Sequence, residues 1–297
     1  MKYVITGGAG HISKPLAEQL LAAGHQVTVI GRSAENLKPL TDKGAQAAVG
    51  SVEDEAFMKQ TLQGADAAYL MIPPNFDPQG GWRPYQNQVA DVYIAAVKAS
   101  GIKHLVVLSS VGAHMGEGAG PVDGLADFEK KLSALTEVNI KILRPSYFMY
   151  NLYSMIPLIK NMNIMGSNFG APDKKMVLVH TDDIAATAAE ELLGLKFSGH
   201  SVRYIASDEK TSDEVAKILS EAAGKPGTPW VQFSDDQAKG GMLQAGLPEP
   251  IAKGYTQLGK AMREGIAEAD YWQNRPQLGK TKLEDFAKAF GGAFAAS

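Results

Sequence analysis

Six short apolar runs, "KYVIT", "QVTVI", "AQAAVG", "ADAAYLMI", "KHLVVLSS" and "NIKILRP", recur through residues 1–145 and restrict the fold more than any other feature. They are rich in β-branched residues and apolar throughout rather than alternating, the pattern of strands covered on both faces. Between them lie segments with helical spacing, such as Leu16, Leu20 and Leu21, or Phe57, Met58 and Leu62. Glycines in "AAGHQ" and "ASGIKH" stand where a helix should end before the next strand. This alternation implies right-handed crossovers and a doubly wound parallel α/β sheet.

After "LRPSYFMYN" the rhythm breaks. The spacing predicts a helix over 147–162, then a strand and a helix in "KKMVLVHTDDIAATAAEELLG", capped by Thr181 or Asp182. "SVRYIAS" reads as a further strand, and Thr211 and Glu214 have capping-box spacing before another helix. The tail from Trp230 to Ser297 reads as mostly helical, and 112–124 as a flexible loop. The expected division is a doubly wound α/β domain over 1–150 and a smaller, mainly helical C-terminal lobe over 151–297. Within the latter, 175–205 is expected to return strands or helices to the main sheet.

The totals narrow the function. A formal charge of −3 gives no general attraction for nucleic acid or an anionic membrane. No apolar run approaches membrane-spanning length, and the apolar part of "MKYVITGG" is too short for a signal peptide. The absence of cysteine excludes disulfides, thiolate metal sites and cysteine nucleophiles. A cytoplasmic protein acting on a small molecule is the expectation.

"VITGGAGHISKPL", residues 4–16, carries the strongest motif. A strand ending at Thr6 delivers Gly7, Gly8 and Gly10 to the sheet's carboxyl edge, where a helix begins. Gly8-x-Gly10-x-x-Ser13 and Gly7-x-x-Gly10-x-x-Ser13 are both dinucleotide spacings, and they converge on Gly10. Glycine permits the tight turn and close approach of a pyrophosphate, and the N–H groups at a helix start favour its charge. Gly7, Gly8, Gly10, His11 and Ile12 are therefore expected to cradle the pyrophosphate. The second strand ends in Gly31, Arg32 and Ser33 with no carboxylate for a ribose 2′-hydroxyl. Arg32 can fork onto a 2′-phosphate and Ser33 can add a hydroxyl, which favours NADP(H) over NAD(H). Further along the edge, Ser51 and Val52 are expected beside the adenine, Ile72 and Pro73 beneath the ribose, and Ser109 near the nicotinamide.

With these pieces in order, the chain resembles the NmrA-like branch of the atypical short-chain dehydrogenase/reductases. The matching stretches are "TGGAGHIS", "VIGRS", "VGSVEDEAFMKQTLQGAD", "GIKHLVVLSS", "ILRPSYFMYNL" and "VHTDDIAATAA". The resemblance implies a Rossmann domain with a small C-terminal lobe. It implies either an NADPH-dependent reductase of quinones or other carbonyl compounds, or a cofactor-binding redox sensor that acts through a protein partner. One departure bears on the chemistry. None of the ten tyrosines has lysine four residues later, so the Tyr-x-x-x-Lys acid–base pair of catalytic relatives is missing. Family register, set by Glu129, places Pro121 and Leu125 where that pair belongs, and no catalytic residue is assigned.

Tyr147, Phe148 and Asn151 follow the sixth strand and are candidates to roof a flat acceptor, against the alternative of lobe packing. Met155, Met162 and Met165 read as core filling and His114 as a solvated loop residue. His180, Asp182 and Asp183 lack a further convergent ligand, so no metal site is expected.

Overall fold

A computed structural model describes every residue except Asp77 and Gln79. Its chain divides into two compact units that interleave in sequence. The first comprises Met1–Ser110, Gly124–Arg144 and Ile184–Arg203; the second comprises Val111–Asp123, Pro145–Asp183 and Tyr204–Ser297.

In the first part of the chain the elements alternate as the apolar runs require: β1 (Lys2–Ile5), α1 (Ser13–Ala22), β2 (Gln26–Gly31), α2 (Ala34–Thr41), β3 (Gln46–Val49) and α3 (Glu55–Leu62). They continue with β4 (Ala67–Leu70), α4 (Trp82–Ser100), β5 (His104–Leu108), α5 (Asp123–Leu132) and β6 (Asn139–Pro145). Then follow β7 (Tyr147–Phe148), α6 (Ile156–Met162), β8 (Met165–Ser167), β9 (Lys175–Val179), α7 (Thr181–Gly194) and β10 (His200–Ile205). The chain ends with β11 (Asp208–Thr211), α8 (Ser212–Ala222), β12 (Trp230–Gln232), α9 (Asp235–Gln244), α10 (Glu249–Arg263), α11 (Ala269–Gln273) and α12 (Leu283–Ala296).

The main sheet has seven strands in the order β10-β6-β5-β4-β1-β2-β3. The pairings β1–β2, β1–β4, β2–β3, β4–β5 and β5–β6 are all parallel. A helix crosses over between successive strands, and α3 and α4 share a buried cluster with the sheet, including Met58, Val89, Tyr93 and Val107. That two-sided cover explains why the strand runs carry no polar alternation. β10 is the outer strand of this sheet, next to β6, and the Tyr3 phenol donates to Leu192 O of α7 at 2.9 Å.

The second unit adds two small sheets to its helices, β11-β9-β7 and β12-β8. Its apolar cluster joins Met149, Leu152, Met165, Leu219, Phe286 and Phe290. Three local expectations need correction. The predicted helix over 147–162 opens instead as a strand, because Tyr147 and Phe148 pair with Leu178 and Val179, and Met149–Met155 is a tighter 3₁₀ stretch before α6. Neither Thr181 nor Asp182 caps α7, since the His180 ring Nδ1 accepts the Asp182 N–H at 3.2 Å. The 112–124 segment is structured by two 3₁₀ turns, and the Asp123 carboxylate accepts the Ala119 N–H at 2.8 Å. Among the described residues no helix is long and apolar enough to cross a membrane.

Within this unit Glu268 is buried, and that burial, with nearby Glu209, pushes its carboxyl up to about 7 from 4.5. A raised folded-state value means the native protein holds a proton the unfolded chain has released. Its contribution is full below 4.5 and is lost as pH rises through about 7. The loss is on the order of 3 kcal/mol. Thermal midpoints of the native chain and Glu268→Gln, compared at pH 5 and pH 8, check this: the variant is expected to gain several degrees relative to native only at the higher pH. A constant difference would contradict it.

Candidate functional site

The strand order reverses at β1: the chain runs outward to β2 and β3, then returns to β4 on the other side. In doubly wound sheets such a switch point opens a crevice at the carboxyl edge. The loops after β1 and β4 border it. Thr6 is fully buried and ties the two together, its hydroxyl accepting the Met71 N–H at 2.8 Å and lying 3.3 Å from the Tyr69 and Met71 carbonyls. Thr6 thus holds the loop rather than presenting a free hydroxyl.

Gly7 and Gly8 have φ of 93° and 58°, a region that disfavours any side chain. A Cβ on Gly7 would also strike Ser13 Oγ, and one on Gly10 would lie 3.1 Å from Gly7 O. Ser13, the small third position of the motif, is buried and donates to Thr6 O at 2.8 Å, closing the turn on its own strand. The Gly8 amide donates to Ile30 O at 2.9 Å and the Gly10 amide to Gly7 O at 3.1 Å. Those two N–H groups are committed to the turn. Helix α1 starts there with no side-chain cap and no acid in its first turn, leaving its positive end uncompensated. The arrangement fits a dinucleotide pyrophosphate.

Beyond β2, Arg32 is exposed and, among the described residues, makes no ion pair. It lies near enough to Tyr85 to lower a phenol that burial and Glu53 raise. The Ser33 hydroxyl N-caps α2, accepting the Asn36 N–H at 3.4 Å; its own proton stays available to donate. Ser51 turns the chain after β3 by accepting the Glu53 N–H at 3.2 Å, and Val52 is buried beside it. Ile72 is nearly buried, and Pro73 O accepts the Tyr85 phenol at 3.1 Å while Met71 O accepts the Tyr93 phenol at 2.7 Å. Two tyrosines of α4 therefore fix the β4 side of the crevice.

Ser109, at the end of β5, is buried with its hydroxyl bonded to Glu129 of α5. Glu129 in turn takes a two-pronged contact from Arg144 of β6, with Nε at 3.0 Å and Nη2 at 2.5 Å. In the sequence Glu129 serves only as a register mark and Arg144 has no role. The available signal was an arginine inside "KILRP", a charge in an apolar strand that has to find a carboxylate. Leu125 packs against the apolar cluster of the first unit, and Lys131 is engaged by Asp91 at 2.6 Å.

The acceptor candidates belong to the second unit. Tyr147 packs into its apolar cluster, 4.8 Å from the Phe169 ring, Phe148 is half-buried and Asn151 is exposed. Met155 and Met165 are core residues, while Met162 and His114 are exposed. Asp183 accepts from Ser207 Oγ at 2.6 Å and the Thr281 N–H at 3.1 Å, which ties loops together. Among the described residues no His, Cys, Asp and Glu group could hold a metal.

A doubly wound α/β sheet with a glycine turn against an uncapped helix at its switch point defines the dinucleotide-binding class of Rossmann proteins. The NmrA-like family model matches residues 2–252, and the chain belongs to the NmrA-like family. An NAD(P)H azoreductase of Xenophilus azovorans is 25% identical over 304 residues, covering 99% of each chain. Among solved structures, the Citrobacter sp. triphenylmethane reductase complexed with NADP(H) is 20% identical with a TM-score of 0.81, covering 97% of this chain and 99% of its own. The Escherichia coli NADPH-dependent quinone oxidoreductase complexed with NADPH is 22% identical with a TM-score of 0.80 over the same shares, 97% and 99%.

Proposed function

We propose that the chain is an NADP(H)-preferring oxidoreductase that reduces a small quinone or carbonyl acceptor. The observation that carries this reading is the Gly7–Ile12 turn on an uncapped α1, with Arg32, exposed and without an ion pair among the described residues, just beyond the strand to which Gly8 is bonded. Support comes also from the relatives, an NAD(P)H azoreductase and an NADPH-dependent quinone oxidoreductase. The chemistry that a bound NADPH supplies is hydride delivery. The His11 and Ile12 amides hold the pyrophosphate, and Arg32 forks onto the 2′-phosphate with Ser33 donating beside it. Tyr85 and Tyr93 hold the Met71–Pro73 backbone, which would support the ribose. Ser109, held by Glu129 and Arg144, fixes the end of β5 rather than serving as an acid. With no Tyr-x-x-x-Lys pair in the chain, the acceptor's proton comes from water, which suits easily reduced acceptors.

Arg32→Ala is expected to weaken NADPH binding roughly tenfold to a hundredfold, the size of a lost charge-assisted contact, and to change NADH binding little. Titration by nicotinamide fluorescence measures both, and equal losses would defeat the assignment of Arg32 to the 2′-phosphate. The reaction itself is tested by NADPH oxidation with the full chain across a panel of quinones and carbonyls. Turnover with any of them is the expected result. Binding without turnover across the panel would overturn the reductase and favour the redox sensor, whose protein partner would then be sought by co-purification.

A further inference from the structure

The second unit holds a cleft of about 280 Å³, none of whose lining residues belongs to the nucleotide loop. Its apolar walls are Trp272 of α11, Met176 of β9 and Met262 of α10, and Lys174, Lys175 and Glu268 supply its polar groups. We propose that this cleft binds a small aromatic carboxylate, its ring against Trp272 and the methionines, its carboxylate among Lys174, Lys175 and the Glu268 carboxyl group.

The indole is the first reason. Trp272 is 41% exposed, yet it is held on two sides: Tyr271 meets it edge-on at 5.1 Å, and the Arg275 guanidinium lies 6.0 Å from its ring. Arg275 is itself clamped by Glu209, with both nitrogen–oxygen distances at 2.7 Å. A large aromatic surface fixed in place at the mouth of a concavity is a platform for a flat apolar body. Methionine walls adapt to the outline of such a body.

The charges give the second reason. Arg263, also on the lining, is satisfied by Asp235 at 2.8 Å. The Lys174 ammonium donates to the Arg263 carbonyl at 3.2 Å, and neither Lys174 nor Lys175 forms an ion pair among the described residues. Glu268 is 6% exposed, and its Oε1 accepts the Val177 N–H at 3.3 Å. Burial keeps it protonated up to about 7, so its second oxygen carries a proton that a ligand carboxylate can accept. Glu209 from β11 is the charged group that acts on it, and Lys174, Lys175 and Arg263 line the same cleft. Glu209 is kept ionised by Arg275 and Tyr271 against the cost of burial. Glu268 is therefore the member that changes charge near neutral pH, and its ionised form would repel the ligand.

The full chain is titrated with 2-naphthoate and with the neutral 2-naphthamide at pH 6, by calorimetry and tryptophan fluorescence. One saturable site is expected, with the carboxylate about tenfold tighter than the amide. Lys175→Glu is expected to lower naphthoate affinity about tenfold while leaving naphthamide unchanged. Naphthoate affinity is expected to fall from pH 6 to pH 8 in the native chain and to stay level in Glu268→Gln. A native-like circular dichroism spectrum and thermal transition report that each variant has folded, and should Glu268→Gln fail to fold, the Lys175→Glu titration decides alone. Equal affinity for acid and amide, indifference to Lys175→Glu, or no saturable binding would each overturn the proposal. None of these outcomes depends on whether the chain turns over NADPH.

Discussion

Gly10→Val is expected to abolish measurable binding of NADPH and NADH alike while leaving the fold intact. Gly10 lies where both motif spacings converge, at the exposed lip of the turn. Its Cβ alone would approach Gly7 O to 3.1 Å, and valine adds two methyl groups at the turn proposed to receive the pyrophosphate. Gly10 does not have the positive φ of Gly7 and Gly8, so the substitution blocks the approach without forcing the backbone into a strained region. Affinity should drop by more than about a hundredfold, the scale of several lost anion contacts, with the circular dichroism spectrum unchanged. Retained affinity would reduce the loop to a simple strand-to-helix turn.

The largest loss of stability is expected at Glu129→Gln. Glu129 and Arg144 form a two-pronged pair whose side chains are each 11% exposed, and Ser109 also bonds to the same carboxylate. Neutralising the acid leaves a buried guanidinium without its counter-charge, which costs about 3–5 kcal/mol. Urea unfolding followed by tryptophan fluorescence measures this as a lower midpoint at unchanged slope. Replacing the pair together, as Glu129→Leu with Arg144→Met, should cost less than Glu129→Gln alone, because no orphaned charge remains. A double variant as unstable as the single would mean that packing around the pair, rather than charge, dominates.

The contrast between these two sites shows what a sequence carries. The nucleotide loop is contiguous, so spacing, strand and helix are legible together in "VITGGAGHIS". The six strands of the alternating region are legible because two-sided burial demands unbroken apolar runs. Glu129 and Arg144 lie on different elements and meet only once β6 docks beside β5, so no local pattern joins them. The second unit was harder to read for a related reason. β8 and β12 are three residues each, and β7 two, lengths at which pairing partners rather than propensity decide the conformation. Ser33 and His180 show local competition of another kind: a side chain at a helix start is taken by the helix's own amides.

The interleaving of the two units has a consequence for any attempt to isolate the nucleotide-binding part. A fragment ending near residue 150 keeps the glycine turn and Arg32 but lacks α7 and β10. Without β10, strand β6 becomes a bare edge whose Ile140 N–H loses the Gly199 carbonyl it bonds at 2.8 Å. Without α7, the Tyr3 phenol loses Leu192 and the sheet loses cover over β1. An apolar parallel strand with an open flank is a template for strands from other molecules. Such a fragment should accumulate as aggregates instead of a small binding module, and a minimal nucleotide-binding protein cut from this chain has to rejoin residues 184–203 to the end of β6 by a new linker.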